Sequence, residues 1–316
     1  MNTNRRDFLT MAAIGAAGLA GGCTTDTCCA NGAKGARKGP FLYGSCIDCE
    51  FEKAIPGLKD AGYDFFETSA ERAFIPSKDE KDWAKQRRRI EALGMPLRSC
   101  ASFYSRQFRL TGPAPRWEEA LKYAETCCRR GDEVGLKTIV LGSGGARDQP
   151  EGFPRDKAVE QFTEFCKRLA ERISFSSVTI VLEPLPRAFV KYLWFVWEGV
   201  EIAKKVDNPH LKVLADLRHM ANNGESPDSI LKAGAEFIKH AHIAVKTNQL
   251  PGFGDPGEVP VMLQNLRKIG YTGGVSLEGV CGATQIGAFP EGSAAMILGR
   301  RMALEVMRSW ADGKVI

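Results

Sequence analysis

From residue 41 onward, short runs of apolar, β-branched and aromatic residues alternate with longer stretches in which apolar residues recur every three or four positions. A short apolar run bounded by turn residues reads as a buried strand, whereas the wider spacing puts one apolar stripe on a helix. Strands are expected at 41–45, 64–68, 96–101, 138–142, 178–183, 212–216, 240–245 and 274–278. Helices are expected at 79–93, 117–134, 156–173, 193–206, 227–233 and 259–269, with a last one at 294–310. Strands joined through helices run parallel, because each crossover returns the chain to the same end, and about eight such units close into a (β/α)8 TIM barrel. An open doubly wound sheet is the other arrangement that this alternation allows. No composition break or long linker divides residues 40–316, so one domain is expected there.

The segment before it has a different character. Arg5 and Arg6 stand just ahead of Phe8-Leu9, and an Ala/Gly-rich, weakly apolar stretch follows to Gly22, a pattern that resembles a twin-arginine export signal. That stretch is shorter than the roughly 20 residues that cross a bilayer and is a poor membrane helix. Leu19-Ala-Gly-Gly-Cys23 resembles a bacterial lipoprotein cleavage box, with Ala20 where leucine is more usual. The reading is a signal over 1–22, a flexible tether over 23–39, a periplasmic location, and lipid on Cys23 if that box is used.

Composition narrows the class. With 44% hydrophobic and 26% charged residues the chain is globular, which sets aside disorder, collagen-like fibres and small disulfide scaffolds. The 43 basic and 38 acidic side chains are interspersed and leave a net charge of only +5, so no nucleic-acid partner is expected. Ten cysteines would suggest disulfides in an exported protein, but a chain that folds before export folds where thiols stay reduced. Cys46-Ile-Asp-Cys49 has no second such pair and no nearby histidine to complete a zinc site, so incidental thiols are expected. Gly142-Ser-Gly-Gly145 lacks the Walker lysine and reads as a tight loop.

The chemistry gathers at the ends of the later strands. Glu183, Asp216 and Glu278 each close an apolar strand, and Lys239-His240-Ala-His242 adds two imidazoles. In a parallel barrel these ends share one rim, and converging carboxylates repel unless a cation neutralises them. A divalent metal follows, and an oxygen-rich set with one imidazole suits Mn, Mg or Co better than zinc. His240 and His242 share a strand face at different depths, which makes His242 the better ligand and His240 a supporting residue. His219, just past Asp216, is placed to hold a substrate hydroxyl.

Leu182-Glu183-Pro-Leu-Pro-Arg187, Asp216-Leu-Arg-His219-Met220, His240-Ala-His242 and Ser276-Leu-Glu278, taken in that order, resemble the motif series of the sugar isomerase/epimerase superfamily with its xylose-isomerase-like barrel. Residues 251–257 and 266–278 are similar to the last helix–strand unit of that group, so the resemblance runs from about residue 40 to the end. It implies that Glu183, Asp216, His242 and Glu278 hold the metal, that Glu183 and Glu278 double as acid and base, and that Arg187 and His219 approach substrate oxygens. The implied reaction is isomerisation or epimerisation of a saccharide by proton abstraction beside a carbonyl, and the export signal together with the missing Walker pattern points to an unphosphorylated saccharide or glycoside. Two positions depart from the epimerase pattern: Phe189 stands where an acid is usual, and Asn248 where an arginine is. Lys246 is the nearby cation that would take over part of the arginine's role, and Phe189 would stack on a sugar face or an aglycone.

The same proton abstraction would serve a lyase, dehydratase or hydrolase acting on an oxidised sugar or keto-glycoside. A carbohydrate-binding lipoprotein without turnover is the non-enzyme alternative, and a DNA-repair endonuclease on this barrel would need more than the four histidines present. Oligomeric state, including a homo-oligomer, is left open. Replacing Arg5 and Arg6 by lysine is expected to hold the precursor in the cytoplasm, and Cys23→Ser to release any membrane-bound fraction, both read by cell fractionation.

Overall fold

The computed structural model describes residues 39–278 and 292–314. The signal, the tether and Cys23 therefore lie outside the described residues. Within them the chain runs β1 (Leu42–Cys46), α1 (Phe51–Ala61), β2 (Phe65–Ser69), α2 (Ala70–Phe74), α3 (Glu80–Ala92), β3 (Leu97–Ala101), α4 (Trp117–Glu133), β4 (Thr138–Leu141), α5 (Gly144–Arg147) and α6 (Arg155–Arg172). It continues β5 (Thr179–Leu182), α7 (Val196–Val206), β6 (Leu211–Asp216), α8 (Leu217–Asn223), α9 (Asp228–Phe237), β7 (Ile238–Ile243), α10 (Val259–Lys268), β8 (Gly274–Leu277) and α11 (Ala294–Ala311).

Each strand pairs in parallel with its successor, and β8 returns to β1 through Leu42–Gly274 to Ser45–Leu277, closing an eight-stranded barrel. That closure excludes the open sheet. All eight expected strands form, with the seventh starting two residues earlier, at Ile238. α1 was not among the expected helices, and neither were three short ones on the rim: α2 and α8, each directly after a strand, and α5, which starts after Gly142 and Ser143. At four to seven residues these three are too short for a 3.6-residue repeat to show.

The main core lies between barrel and helices. In α4, Ala120, Leu121, Ala124, Cys127, Cys128 and Gly131 are buried at helical spacing while the acidic and basic positions face outward, except Arg130, which is buried and donates to the carbonyls of Phe74, Ile75 and Lys78. Cys100, Cys127, Cys128 and Cys166 are buried free thiols, as expected for a fold independent of bridges. Inside the barrel, Val140, Val181 and Leu214 form a small separate apolar cluster. The other side of the interior is polar, with Glu67, Ser99, His240, His242 and Ser276 all fully or almost fully buried.

Phe65 plugs the barrel on that polar side, and two glycines make room for it. A Cβ on Gly274 would stand 2.9 Å from the Phe65 ring, and one on Gly44 would overlap it outright. Gly44→Ala is expected to cost about 1–3 kcal/mol by overpacking. A urea-melt comparison should show part of that loss recovered in the Gly44→Ala, Phe65→Leu double variant.

Candidate active site

Strand register assembles the site. Asp216 on β6 pairs with His242 on β7, and His242 pairs with Ser276 on β8, so the three stand at one level, with Glu278 two residues higher on the same face as Ser276. Glu183 follows β5 directly, and its N–H donates to the carbonyl of Leu141 at 3.2 Å. Its carboxylate fits because residue 142 is glycine: a Cβ there would overlap Glu183 Oε2. Arg147, fully buried, donates to the carbonyls of Gly142 at 2.7 Å, Tyr192 at 3.0 Å and Glu183 at 3.3 Å, which ties the β4 and β5 ends together.

The deepest element is a carboxylate that the motif reading passed over. Glu67, fully buried on β2, accepts from His240 Nε2 at 2.9 Å, His242 Nε2 at 3.0 Å and Ser276 Oγ at 2.6 Å. Burial alone would raise its pKa, but His242 and His240 hold it well below the ordinary carboxylate value. Because His242 uses Nε2–H to reach Glu67, its Nδ1 is turned toward the mouth, 3.4 Å from Glu183 Oε1 and 3.3 Å from Glu278 Oε2. His240 sits one layer lower and serves Glu67 alone among the carboxylates within hydrogen-bond reach. Burial lowers its pKa against the pull of Glu67.

His242 Nδ1, Asp216 Oδ2 and Glu278 Oε2 are buried without an aligned hydrogen-bond partner. Buried polar atoms are normally satisfied, so three of them around one point, with Glu183 Oε1 beside them, are a group that could hold a cation. The donor set fits a hard divalent metal: three carboxylates, one imidazole, and a second-layer carboxylate fixing the imidazole tautomer. Burial opposes charge on His242, yet Glu67 and Glu278 raise its pKa well above the ordinary histidine value.

The two acid/base candidates are driven apart. Burial, reinforced by Glu278, raises the Glu183 pKa against the pull of His242. Glu278 moves the other way: His242, His219 and Arg218 outweigh its burial and hold it well below the usual range.

His219 also comes to the cluster, and one nitrogen can be placed within 4.8 Å of ligand atoms of Glu183, Asp216 and Glu278. Its hydrogen bonds argue against ligation. Nδ1 lies 3.1 Å from the carbonyl of Pro184, which only accepts, and Nε2 lies 2.9 Å from Arg218 Nη2, which only donates. Both nitrogens are thus engaged, and Asp216 Oδ1 caps α8 by accepting the His219 N–H at 2.8 Å.

Arg218, inside the quoted motif but unremarked there, is 3.8 Å from Glu278 Oε2. It lines the mouth cavity of about 310 Å3 together with Asn248, Glu67 and Glu278. Lys246 is exposed and does not line this cavity. Arg187 is also outside it, with its guanidinium 4.6 Å from the Trp194 ring. The position of Glu67 was visible in outline, as an acid inside an apolar strand, but its partners were not.

Residues 57–297 match the Xylose isomerase-like TIM barrel family. This chain belongs to that family. Among curated relatives of this xylose isomerase-like barrel, the probable ketose 3-epimerase of Synechocystis is 26% identical over 196 residues, 60% of this chain and 66% of its own length. The D-psicose 3-epimerase of Ruminiclostridium cellulolyticum is 30% identical over 120 residues, 38% of this chain and 40% of its own. The chain thus aligns with less than two thirds of the length of either relative. Among solved structures, D-psicose 3-epimerase with D-tagatose from Clostridium cellulolyticum superposes with a TM-score of 0.71 at 19% identity, covering 86% of this chain and 99% of that one. A 3-keto-D-glucoside 4-epimerase from E. coli gives 0.67 at 20% identity, covering 85% and 99%. At these identities the structures establish the shared fold.

A metal bound at His242 Nδ1 would displace its proton, so affinity for Mn2+ is expected to rise up to about tenfold per pH unit while pH remains below the raised His242 pKa. Calorimetry in buffers of different ionisation enthalpy should show protons released on binding. Glu67→Gln removes the anion that orients His242 and is expected to weaken metal binding about 10–100-fold.

Proposed function

We propose that this barrel is a divalent-metal-dependent sugar isomerase or epimerase that removes and returns a proton beside a ketose carbonyl. The observation that carries the reading is the set of buried, unsatisfied ligand atoms of Asp216, His242 and Glu278 beside two carboxylates with oppositely displaced pKa values. The ketose 3-epimerase relatives support it. They lend nothing to elimination, hydrolysis or binding without turnover.

A bound divalent cation of the Mn, Mg or Co type would polarise the carbonyl and acidify the adjacent C–H. Glu183, Asp216, His242 and Glu278 would hold it. Glu278, held ionised by His242, His219 and Arg218, is the group that would accept the proton, and Glu183 would return one from the other side. Arg218 stands between Glu278 and His219 and would orient an oxygen of the substrate. Export by the twin-arginine route, with lipid on Cys23 as its further step, completes the proposal and fits an unphosphorylated saccharide outside the cytoplasm.

The decisive measurement is solvent-deuterium incorporation into D-fructose, D-tagatose and D-psicose by the full-length protein, with each of Mn2+, Mg2+ and Co2+ and after chelation. Metal-dependent deuterium on the carbon beside the carbonyl, with a product of unchanged composition, is expected. Glu278→Gln should slow exchange by about 100-fold or more. No exchange with any metal in any ketose would retire the reading.

A further inference from the structure

Two cavities adjoin on the rim, and Arg218 is in the wall of both. The first is the mouth, whose lining includes Glu67 and Glu278. The second, about 530 Å3, is walled by Arg187, Phe189, Asn222 and Asn223, and no step described above uses it. Phe189 is 67% exposed, more than any other large hydrophobic residue among those described. It follows Glu183 by six positions.

This wall is built rather than loose. The Arg187 N–H donates to Asn223 Oδ1 at 3.2 Å, and Asn223 Nδ2 donates to the Trp194 carbonyl at 2.7 Å. The Arg187 guanidinium lies 4.6 Å from the Trp194 ring and 5.1 Å from the Phe195 ring, which restrains it at the cavity edge. An exposed phenyl face flanked by a guanidinium and the Asn222 amide offers stacking for the C–H face of a sugar ring and hydrogen bonds for its hydroxyls. The mouth cavity, about 310 Å3, suits one ring, and the second cavity suits another.

We propose that the substrate is a two-ring saccharide or glycoside whose reacting ring sits over Glu183 and Glu278 while its second ring lies on Phe189. Arg218, common to both cavities, meets the oxygens near the linkage. The proposal deepens the sugar-epimerase reading of the carboxylate site and rests on it. It also accounts for the departure at residue 189: a charged acceptor would serve one hydroxyl of a small ketose, whereas an apolar ring serves the face of a second ring.

The test compares binding of D-fructose with that of three glycosylated fructoses differing in linkage, turanose, lactulose and isomaltulose, to the Mn2+-loaded full-length protein by calorimetry, in wild type and Phe189→Ala. At least one two-ring ketose is expected to bind about tenfold more tightly than D-fructose, a preference that Phe189→Ala reduces below about threefold. Equal or weaker binding of all three would overturn the proposal. So would a preference that survives in Phe189→Ala, and if sedimentation then showed that variant dissociating, the ledge would be a contact between copies of the chain. Deuterium exchange run on the same samples separates the two readings: a two-ring preference without exchange in any ketose would retire the epimerase reading and keep the second subsite.

Discussion

Glu67 is a carboxylate sealed inside the barrel, and the arrangement of the mouth depends on how its charge is balanced. A buried anion without partners costs several kcal/mol, and here three donors from β7 and β8 point at it. Taking one partner away from such a buried pair typically costs about 3–5 kcal/mol, because the remaining charge is left uncompensated. The consequence for function lies on the far side of the His242 ring. With Nε2–H committed to Glu67, Nδ1 faces Glu183 and Glu278, so the tautomer that a metal requires is set from below.

The rest of the barrel supports that geometry. Parallel register brings Asp216, His242 and Ser276 level, and strand alternation sends Glu278 to the same face. Where side chains crowd, the chain has glycine: Gly44 and Gly274 around Phe65, and Gly142 beside the Glu183 carboxylate. Three acids therefore meet at one point, and beyond the effect of burial their mutual repulsion shows in the raised pKa values of Glu183 and His242.

The inner and outer parts of the site carry different information. The inner set of carboxylates and imidazole is what the resemblance to sugar isomerases and epimerases rests on, and it defines a type of proton chemistry. The outer wall departs from the epimerase pattern at Phe189 and Asn248. Its cation is Arg218, which reaches both the reactive cavity and the neighbouring aromatic one. A common catalytic floor under a distinct wall is how one barrel can serve substrates of different size.

The alternation of strands and helices, the barrel class and the convergence of Glu183, Asp216, His242 and Glu278 at the rim were all legible in the sequence. Hydrophobic period is local, and in a parallel barrel every strand end falls on the same rim whatever the details of packing. That His242 lies nearer the rim carboxylates than His240 followed from strand depth in the same way. Other features depend on partners far apart in the chain. Glu67 lies 173 and 175 positions from the two histidines it anchors and 209 from Ser276, and no local spacing joins them. Arg187 and Lys246 could be placed beside the ligands in sequence but not aimed: one stacks on Trp194, and the other is exposed away from the mouth cavity. Only barrel closure decided which nitrogen of His242 faces the acids, how both nitrogens of His219 are engaged, and that Arg218 is the cation at the mouth. Local pattern specifies which side chains reach the rim, whereas orientation and protonation depend on neighbours that the fold alone brings together.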